Sequence, residues 1–141
     1  MKYVLDCSVA LKWVLQEADS GRAVRLRNEY LAGIHELIAP ELFTSEVANG
    51  LASAERQGRI QAGDAIAFLR DILRTAPLLF PNAPLLTRSI ELALAHRRAV
   101  YDCVYLALAE SEGCEYVTAD DQFLRGLRSA FPCIVPLVAL P

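Results

Sequence analysis

YDCVYLALA, residues 101–109, is an apolar run in which one carboxylate, Asp102, stands near the beginning. The run has the composition of a helix that is apolar on every side, and such a helix is buried. An ionised carboxylate at its start must be compensated by a cation, by hydrogen bonds or by the helix N-terminus. The segment therefore predicts a buried helix with a compensated charge in its first turn.

Short apolar runs alternate with longer helical patterns on both sides of this helix. We predict five strands, at residues 3–5, 37–39, 78–80, 116–118 and 134–135, and seven helices, at 8–16, 20–32, 41–57, 62–75, 85–96, 101–112 and 121–128. Strands separated by helices indicate an α/β fold with a parallel sheet and helices on both faces. Ligands bind such sheets beyond the carboxyl ends of the strands, where Asp6 and Asp120 fall.

The two helices at 41–57 and 62–75 follow one another with Gln57-Gly58-Arg59 between them and no strand. This order predicts a helical hairpin, which could extend from the sheet as a contact arm. In its second helix, four apolar side chains share one face, namely Ile66, Leu69, Ile72 and Leu73.

The 141 residues, of which 54% are hydrophobic, predict a single domain over residues 1–141 with one large core. No signal peptide precedes Asp6, and the longest apolar stretch, 103–109, is too short to span a bilayer, so we expect a cytoplasmic protein. Four widely spaced cysteines form no CxxC pair and are predicted to be reduced core thiols; they are Cys7, Cys103, Cys114 and Cys133.

The net charge of −3 argues against nucleic-acid binding by bulk electrostatics. The basic residues are nevertheless twelve Arg and only two Lys. Arg favours bidentate phosphate contacts, although a GC-rich genome would give the same ratio.

Asp6, Glu46, Asp102 and Asp120 are carboxylates in apolar surroundings, and three of them also have an ordinary explanation. Asp6 and one of the Asp120-Asp121 pair could cap helices, and Glu46 could be a surface residue. If the four converge, one pair at 4 Å repels by roughly 4 kcal/mol at an effective dielectric of 20. Either their pKa values rise or a cation holds them together, and an all-oxygen ligand set selects Mg²⁺ or Mn²⁺. Such a site suits phosphodiester hydrolysis.

The chain resembles the PIN-domain ribonucleases, specifically the VapC-type toxins of bacterial toxin–antitoxin pairs. The resemblance covers essentially the whole length and depends on the order and spacing of four segments. These are Val4-Leu5-Asp6-Cys7-Ser8, Pro40-Glu41-Leu42 leading to Glu46-Val47, the run at 101–109, and Val117-Thr118-Ala119-Asp120-Asp121-Gln122-Phe123. It implies a PIN-like three-layer fold in which a five-stranded parallel sheet is flanked by helices.

The resemblance implies roles for particular residues. Asp6, Glu46, Asp102 and Asp120 would be the metal-binding and catalytic quartet, with Ser8 and Thr118 as polar supports. Cys7 stands where many relatives carry Thr, Ser or Ala. Asp121 is expected to begin a helix and to favour its dipole, and whether it also reaches the metal is left open.

The implied activity is a Mg²⁺- or Mn²⁺-dependent endoribonuclease that acts as the toxin of the pair. The implied partners are RNA, a second copy in a homodimer, and a VapB-type antitoxin that wraps the toxin and blocks its site. Arg97, Arg98, Arg125 and Arg128 lie near Asp102 or Asp120 in the sequence and are candidate RNA contacts, or simply solvated side chains. The apolar segment 9–15, which contains Trp13, is either an antitoxin surface or ordinary core.

Two other functions fit parts of the pattern. A Mg²⁺-dependent aspartyl-phosphate phosphatase or receiver needs a second acid beside Asp6 and a late lysine, and no Lys follows Lys12. A catalytically inactive PIN-like interaction module would keep the fold and lose the acids, all of which are present here. A dinucleotide-binding domain is excluded because no Gly-rich turn follows the first strand.

Overall fold

The computed structural model describes residues 1–141 and contains one parallel sheet. Its strands are β1 (Lys2–Leu5), β2 (Glu36–Pro40), β3 (Leu78–Phe80), β4 (Glu115–Thr118) and β5 (Ile134–Pro136), in the spatial order β3-β2-β1-β4-β5. Tyr3 pairs with Leu37 on one side and with Glu115 on the other, so β1 is the central strand. The predicted five-stranded parallel sheet is confirmed.

Seven α-helices flank the sheet. They are α1 (Cys7–Leu11), α2 (Ser20–Leu31), α3 (Leu42–Arg56), α4 (Asp64–Arg74), α5 (Leu86–His96), α6 (Val100–Glu112) and α7 (Asp121–Leu127). Two short 3₁₀ segments, Ala83–Leu85 and Leu137–Ala139, complete the chain. None of the helices is both long enough and apolar enough to cross a membrane.

Helix α6 is the buried helix that the opening stretch predicts. Its residues from Cys103 to Ala109 are all at most 2% exposed. The helix packs on β1, β2 and β4 and also against α5. Because α6 leads directly into the start of β4 at Glu115, it runs antiparallel to the strands, and its N-terminus lies at the edge of the sheet where β1 and β4 end.

The first helix is shorter than predicted: α1 ends at Leu11, whereas the sequence pattern continues to residue 16. Beyond α1 the chain makes i to i−3 bonds, including Trp13 N to Ala10 O at 3.0 Å. This tighter winding accompanies burial of Trp13, whose Nε1 donates to Ala23 O at 2.9 Å. Arg27 covers the indole, with its Cζ 4.8 Å from the ring centroid. Trp13 is therefore core and not an exposed antitoxin surface.

The predicted hairpin is formed by α3 and α4, which pack against each other. Glu55 Oε1 fixes its turn by accepting hydrogen bonds from the backbone of Gly63 and Ala65, both at 3.0 Å. The predicted apolar face of α4 is divided in the structure. Ile72 is buried, while Ile66 and Leu73 are exposed because the helix is rotated toward α3 on its Ala65, Phe68, Leu69 and Ile72 side.

Candidate active site

Asp6 is the first residue after β1, and three neighbours hold its buried carboxylate. Its Oδ2 caps α1 by accepting from Ser8 N at 3.1 Å and also accepts from Thr118 Oγ1 at 3.3 Å. Its Oδ1 accepts from the Tyr116 hydroxyl at 2.7 Å. Burial raises the pKa of Asp6; the hydrogen bonds from Ser8 and Tyr116 oppose that rise, and the charge of Asp120 adds to it.

The end of β4 is tied to the same carboxylate. Thr118 Oγ1 accepts from Asp120 N at 3.0 Å, and Ser8 Oγ accepts from Ala119 N at 3.0 Å. Ser8 and Thr118, which the resemblance predicts to be polar supports, therefore link the Asp6 carboxylate to the backbone at the end of β4. Together they fix the backbone on which Asp120 is carried.

Asp120 caps α7 with one carboxylate oxygen. Its Oδ1 accepts from Gln122 N at 3.0 Å and from Phe123 N at 3.3 Å, which leaves Oδ2 without a protein hydrogen bond. Asp121 begins α7, is exposed, and makes no side-chain hydrogen bond or ion pair. The helix cap and the candidate ligand are thus the same residue, Asp120, while Asp121 lies in the first turn.

Glu46 lies on the second turn of α3, and its Oε1 is buried without a hydrogen-bond partner. Burial raises the pKa of Glu46 to about 7, and the charges of Asp6 and Asp102 contribute to the rise. The nearby Tyr105 hydroxyl lowers this pKa, although that hydroxyl also lacks a partner with hydrogen-bond geometry. A buried, unpartnered carboxylate oxygen is costly and calls for a ligand or a water.

Asp102 is the third residue of α6 and is half-buried. Burial raises its pKa, as do the charges of Asp120 and Asp6, while the Arg98 guanidinium lowers it. The helix N-terminus also favours a negative charge here. The compensation that the sequence requires at this position therefore comes from Arg98 and the helix dipole.

The four predicted carboxylates lie at the carboxyl edge of the sheet, where the pKa values of Asp6, Glu46 and Asp102 are raised by burial and by charges of other members of the set. The charge of Asp120 raises the pKa of Asp6, and the charges of Asp120 and Asp6 raise the pKa of Asp102. The charges of Asp6 and Asp102 raise the pKa of Glu46. No three acidic, histidine or cysteine side chains approach closely enough to form a complete set of metal ligands. The structure thus brings the quartet together as neighbours and not as a closed coordination sphere.

Two tyrosines belong to this site and were not predicted. Tyr116 and Tyr105 stack with their ring centroids 5.6 Å apart and an interplanar angle of 11°. Tyr116 reaches Asp6, and Tyr105 lies near Glu46 and Cys7. The signal for Tyr116 was available, since it points to the same face of β4 as Thr118 and a buried tyrosine needs a polar partner.

The four candidate RNA-binding arginines differ in their surroundings, and none forms an ion pair. Arg97, Arg125 and Arg128 are exposed, and no hydrogen bond involves their side chains. Arg98 is half-buried against α7 and donates from Nη2 to Gln122 O at 3.3 Å. Only Arg98 therefore has a fixed position beside the carboxylates.

An open cavity of about 540 Å³ adjoins Glu46. It runs between α1 and α3 and is lined by Cys7, Leu11, Leu42, Ser45, Glu46, Asn49, Gly50 and Tyr101. A cavity of about 610 Å³ at the opposite edge of the sheet, beside Lys2 and Cys114, contains none of the four acids. The former is the one that is continuous with the candidate site.

Comparisons with known proteins agree with this geometry. The family model "PIN domain" matches residues 3–126. Ribonuclease VapC3 of Pyrobaculum aerophilum is 32% identical over 96% of this chain and 98% of that protein. Ribonuclease VapC9 of Mycobacterium tuberculosis is 32% identical over 83% of this chain and 84% of that protein.

A solved structure shares the fold. The crystal structure of PAE2754 from Pyrobaculum aerophilum superposes with a TM-score of 0.71 at 20% identity and covers 98% of this chain and 85% of that one. With the family match and the two relatives, the order of the sheet and the four acids at its carboxyl edge have one consistent explanation: the chain belongs to the PIN-domain family and, within it, to the VapC type.

Proposed function

We propose that this protein is a Mg²⁺- or Mn²⁺-dependent endoribonuclease and the toxin of a toxin–antitoxin pair. The observation that carries the proposal is the arrangement of carboxylates at one edge of the sheet: Thr118 Oγ1 bonds both the Asp6 carboxylate and Asp120 N, and the buried Oε1 of Glu46 has no partner. The charges of Asp6 and Asp102 raise the pKa of Glu46, and those of Asp120 and Asp6 raise the pKa of Asp102. The ribonuclease names of its relatives support the choice of RNA as the substrate. The proposed reaction is hydrolysis of a phosphodiester bond.

The residues present fit a hard divalent ion. All four are oxygen donors, and Glu46 Oε1 is a buried oxygen without a partner. Mg²⁺ normally keeps several waters, so it does not require every carboxylate to contact it directly. When bound, such an ion lowers the pKa of a water and stabilises the leaving oxygen of a phosphodiester.

Asp6, Asp120 and Glu46 have different roles in the proposed reaction. Asp6 is immobilised by Ser8, Tyr116 and Thr118, so its carboxylate keeps one orientation. Asp120 offers Oδ2 because capping occupies only Oδ1. Glu46 offers Oε1 to orient a water or accept its proton.

The test compares purified, antitoxin-free protein with its Asp6→Asn and Asp102→Asn variants on total RNA. Reactions contain Mg²⁺, Mn²⁺ or EDTA, and Glu91→Gln, an exposed acid on α5, is the matched control. We expect cleavage by the parent and the control with either metal, none in EDTA, and a loss of at least about 100-fold in both Asp variants. Cleavage that survives EDTA or both substitutions overturns the metal mechanism. Complete inactivity of the folded parent favours the interaction module.

We also propose a homodimer. Leu86, Ile90 and Leu94 recur every fourth residue along α5 and are 40%, 49% and 79% exposed, so they form an apolar stripe on one face of the helix. Exposed apolar patches of this kind mark interaction surfaces. Light scattering of the parent and of Leu94→Glu tests the dimer: the expected result is half the mass for the variant, and a monomeric parent contradicts it.

The remaining proposed partner is a VapB-type antitoxin that blocks the site. Co-expression of the cognate antitoxin should restore growth of cells that produce the toxin, and the two proteins should co-purify. Co-purification without inhibition of cleavage would contradict blocking of the site. Mapping cleavage positions across total RNA identifies the substrate.

A further inference from the structure

Arg98 reaches α7 because of the turn that ends α5. Arg97 adopts the left-handed conformation, with φ of 55°, and its backbone N–H bonds to Ala93 O. Arg98 N donates to the same carbonyl at 3.1 Å. This pair of bonds closes the helix and turns the next side chain out of α5. The Arg98 side chain consequently extends over α7 and not into solvent.

Three contacts hold the guanidinium there. Its Nη2 donates to Gln122 O at 3.3 Å, and its Cζ lies 5.7 Å from the centroid of the buried Phe123 ring. The third contact is with Gly126, which has no side chain. The guanidinium fills the space over Gly126, and we call this space the slot. A Cβ added at Gly126 would overlap Arg98 Nη2 and lie 2.8 Å from its Cζ. Gly126 is a helical residue without a left-handed φ, so backbone conformation does not explain the glycine.

The Arg98 guanidinium has hydrogen-bond donors without a protein acceptor. Arg carries five N–H donors, and only one of them has a protein acceptor. No carboxylate lies within 4.0 Å of it, although Asp102 is near enough to respond to its charge. A cation that is fixed at the edge of an acidic site without a carboxylate partner is suited to a second anion.

We propose that Arg98, seated in the slot over Gly126, binds a backbone phosphate of single-stranded RNA beside the four carboxylates. The assignment rests on the proposed function, because that function supplies the RNA. It separates Arg98 from the exposed Arg97, Arg125 and Arg128, whose contribution is general electrostatic attraction. Phe123 and Gln122 position the guanidinium so that little side-chain freedom is lost when phosphate binds.

The experiment measures equilibrium binding in EDTA, so that it does not depend on cleavage. The probe is a fluorescein-labelled single-stranded 12-mer RNA, followed by anisotropy between 25 and 200 mM KCl. The variants are Arg98→Ala and Gly126→Ala, separately and together. The matched controls are Arg70→Ala, an exposed arginine on α4 without an ion pair, and Gly21→Ala, where an added Cβ meets nothing within 4 Å.

We expect Arg98→Ala to weaken binding about tenfold, the equivalent of ~1.4 kcal/mol. The variant should lose one phosphate contact, so the steepness of log K against log salt should decrease by about 0.7 for a single strand. Gly126→Ala should weaken binding in the same direction while thermal unfolding shows an intact fold. In the double variant, Gly126→Ala should add no further loss. Both controls should retain the affinity and slope of the parent.

The outcomes separate this proposal from the proposed function. If Arg98→Ala keeps the salt slope of the parent, or loses no more affinity than Arg70→Ala, phosphate binding by Arg98 is refuted even if the parent cleaves RNA. If Gly126→Ala binds as the parent does, the slot is refuted. If the parent binds RNA with the expected Arg98 dependence but cleaves nothing with Mg²⁺ or Mn²⁺, only the catalytic function fails. A parent that binds no RNA overturns both.

Discussion

The stacked tyrosines Tyr105 and Tyr116 offer a matched test of what a buried hydroxyl contributes at this site. Both are almost completely buried and lie face to face, so Tyr→Phe removes the same atom from similar surroundings. The Tyr116 hydroxyl donates to Asp6 Oδ1 at 2.7 Å. The Tyr105 hydroxyl has no hydrogen-bond partner. Tyr116→Phe should therefore destabilise the protein, whereas Tyr105→Phe should not.

The magnitudes follow from the partners. A hydrogen bond to a charged acceptor contributes about 1.5–3 kcal/mol, so Tyr116→Phe should destabilise the protein by that amount. At roughly 3 °C per kcal/mol for a domain of this size, its Tm should fall by ~5–9 °C. An unpaired buried hydroxyl costs about 1–3 kcal/mol, so Tyr105→Phe should be neutral or stabilise by ~1 kcal/mol.

Urea denaturation at pH 8 in EDTA measures both free energies of unfolding. Because the Tyr116 bond favours ionised Asp6, the deficit of Tyr116→Phe should shrink as pH falls through the pKa of Asp6 and the carboxyl becomes protonated. Equal losses in the two variants would show that the Tyr105 hydroxyl is hydrogen-bonded and would refute the distinction. A loss in Tyr116→Phe that is independent of pH would refute the role of the Asp6 charge.

Three further predictions concern the same carboxylates. Because the pKa of Glu46 is raised from 4.5 to about 7, the folded state retains a proton that the unfolded state releases, and stability falls as pH rises through that window. In urea titrations in EDTA, the free energy of unfolding of Glu46→Gln, relative to that of the parent, should therefore rise by ~1–2 kcal/mol between pH 5 and pH 8, after allowance for the partial exposure of Glu46. A difference that stays constant with pH contradicts this. Asp120→Asn should impair metal-dependent cleavage while Asp121→Asn spares most of it, and equal loss would mean that Asp121 also reaches the metal. Thr118→Val removes a donor to Asp6 and the acceptor of Asp120 N, so a loss of ~1–3 kcal/mol by thermal unfolding, with reduced cleavage, is expected; an unchanged Tm would show that these bonds contribute nothing.

Apolar periodicity and the residues that interrupt it were sufficient to predict every strand and every α-helix. The runs at 78–80 and 116–118 are bounded by clear changes of pattern, and the observed strands match them closely. The first helix was predicted too long because Trp13, Val14 and Leu15 continue the apolar pattern beyond Leu11. An apolar pattern indicates that residues are buried, but it does not distinguish an α-helix from a more tightly wound segment. The tighter winding after Leu11 accompanies the packing of Trp13.

The candidate site was predictable where chemistry appears at a strand or helix end, as at Asp6 and Asp120. The position of Tyr116 on the same face of β4 as Thr118 signals a polar partner for its hydroxyl, but that partner, Asp6, lies 110 residues away and is identified only in the structure. The position of Arg98 was less accessible still. It depends on a left-handed turn at a non-glycine residue and on a gap in α7, and neither is visible until two helices are placed side by side.

The position of β1 in the middle of the sheet affects how the protein is made. β1 pairs with β2 early, but its other neighbour, β4, begins at Glu115, and the carboxylates at positions 6 and 120 belong to opposite ends of the chain. At ~5–20 residues per second, a ribosome needs about 4–15 s to add the roughly 75 residues between the end of β2 and the start of β4. During that interval the nascent chain has no assembled acidic edge. The proposed cleavage of RNA would thus begin abruptly, late in synthesis, and truncated products would not possess it.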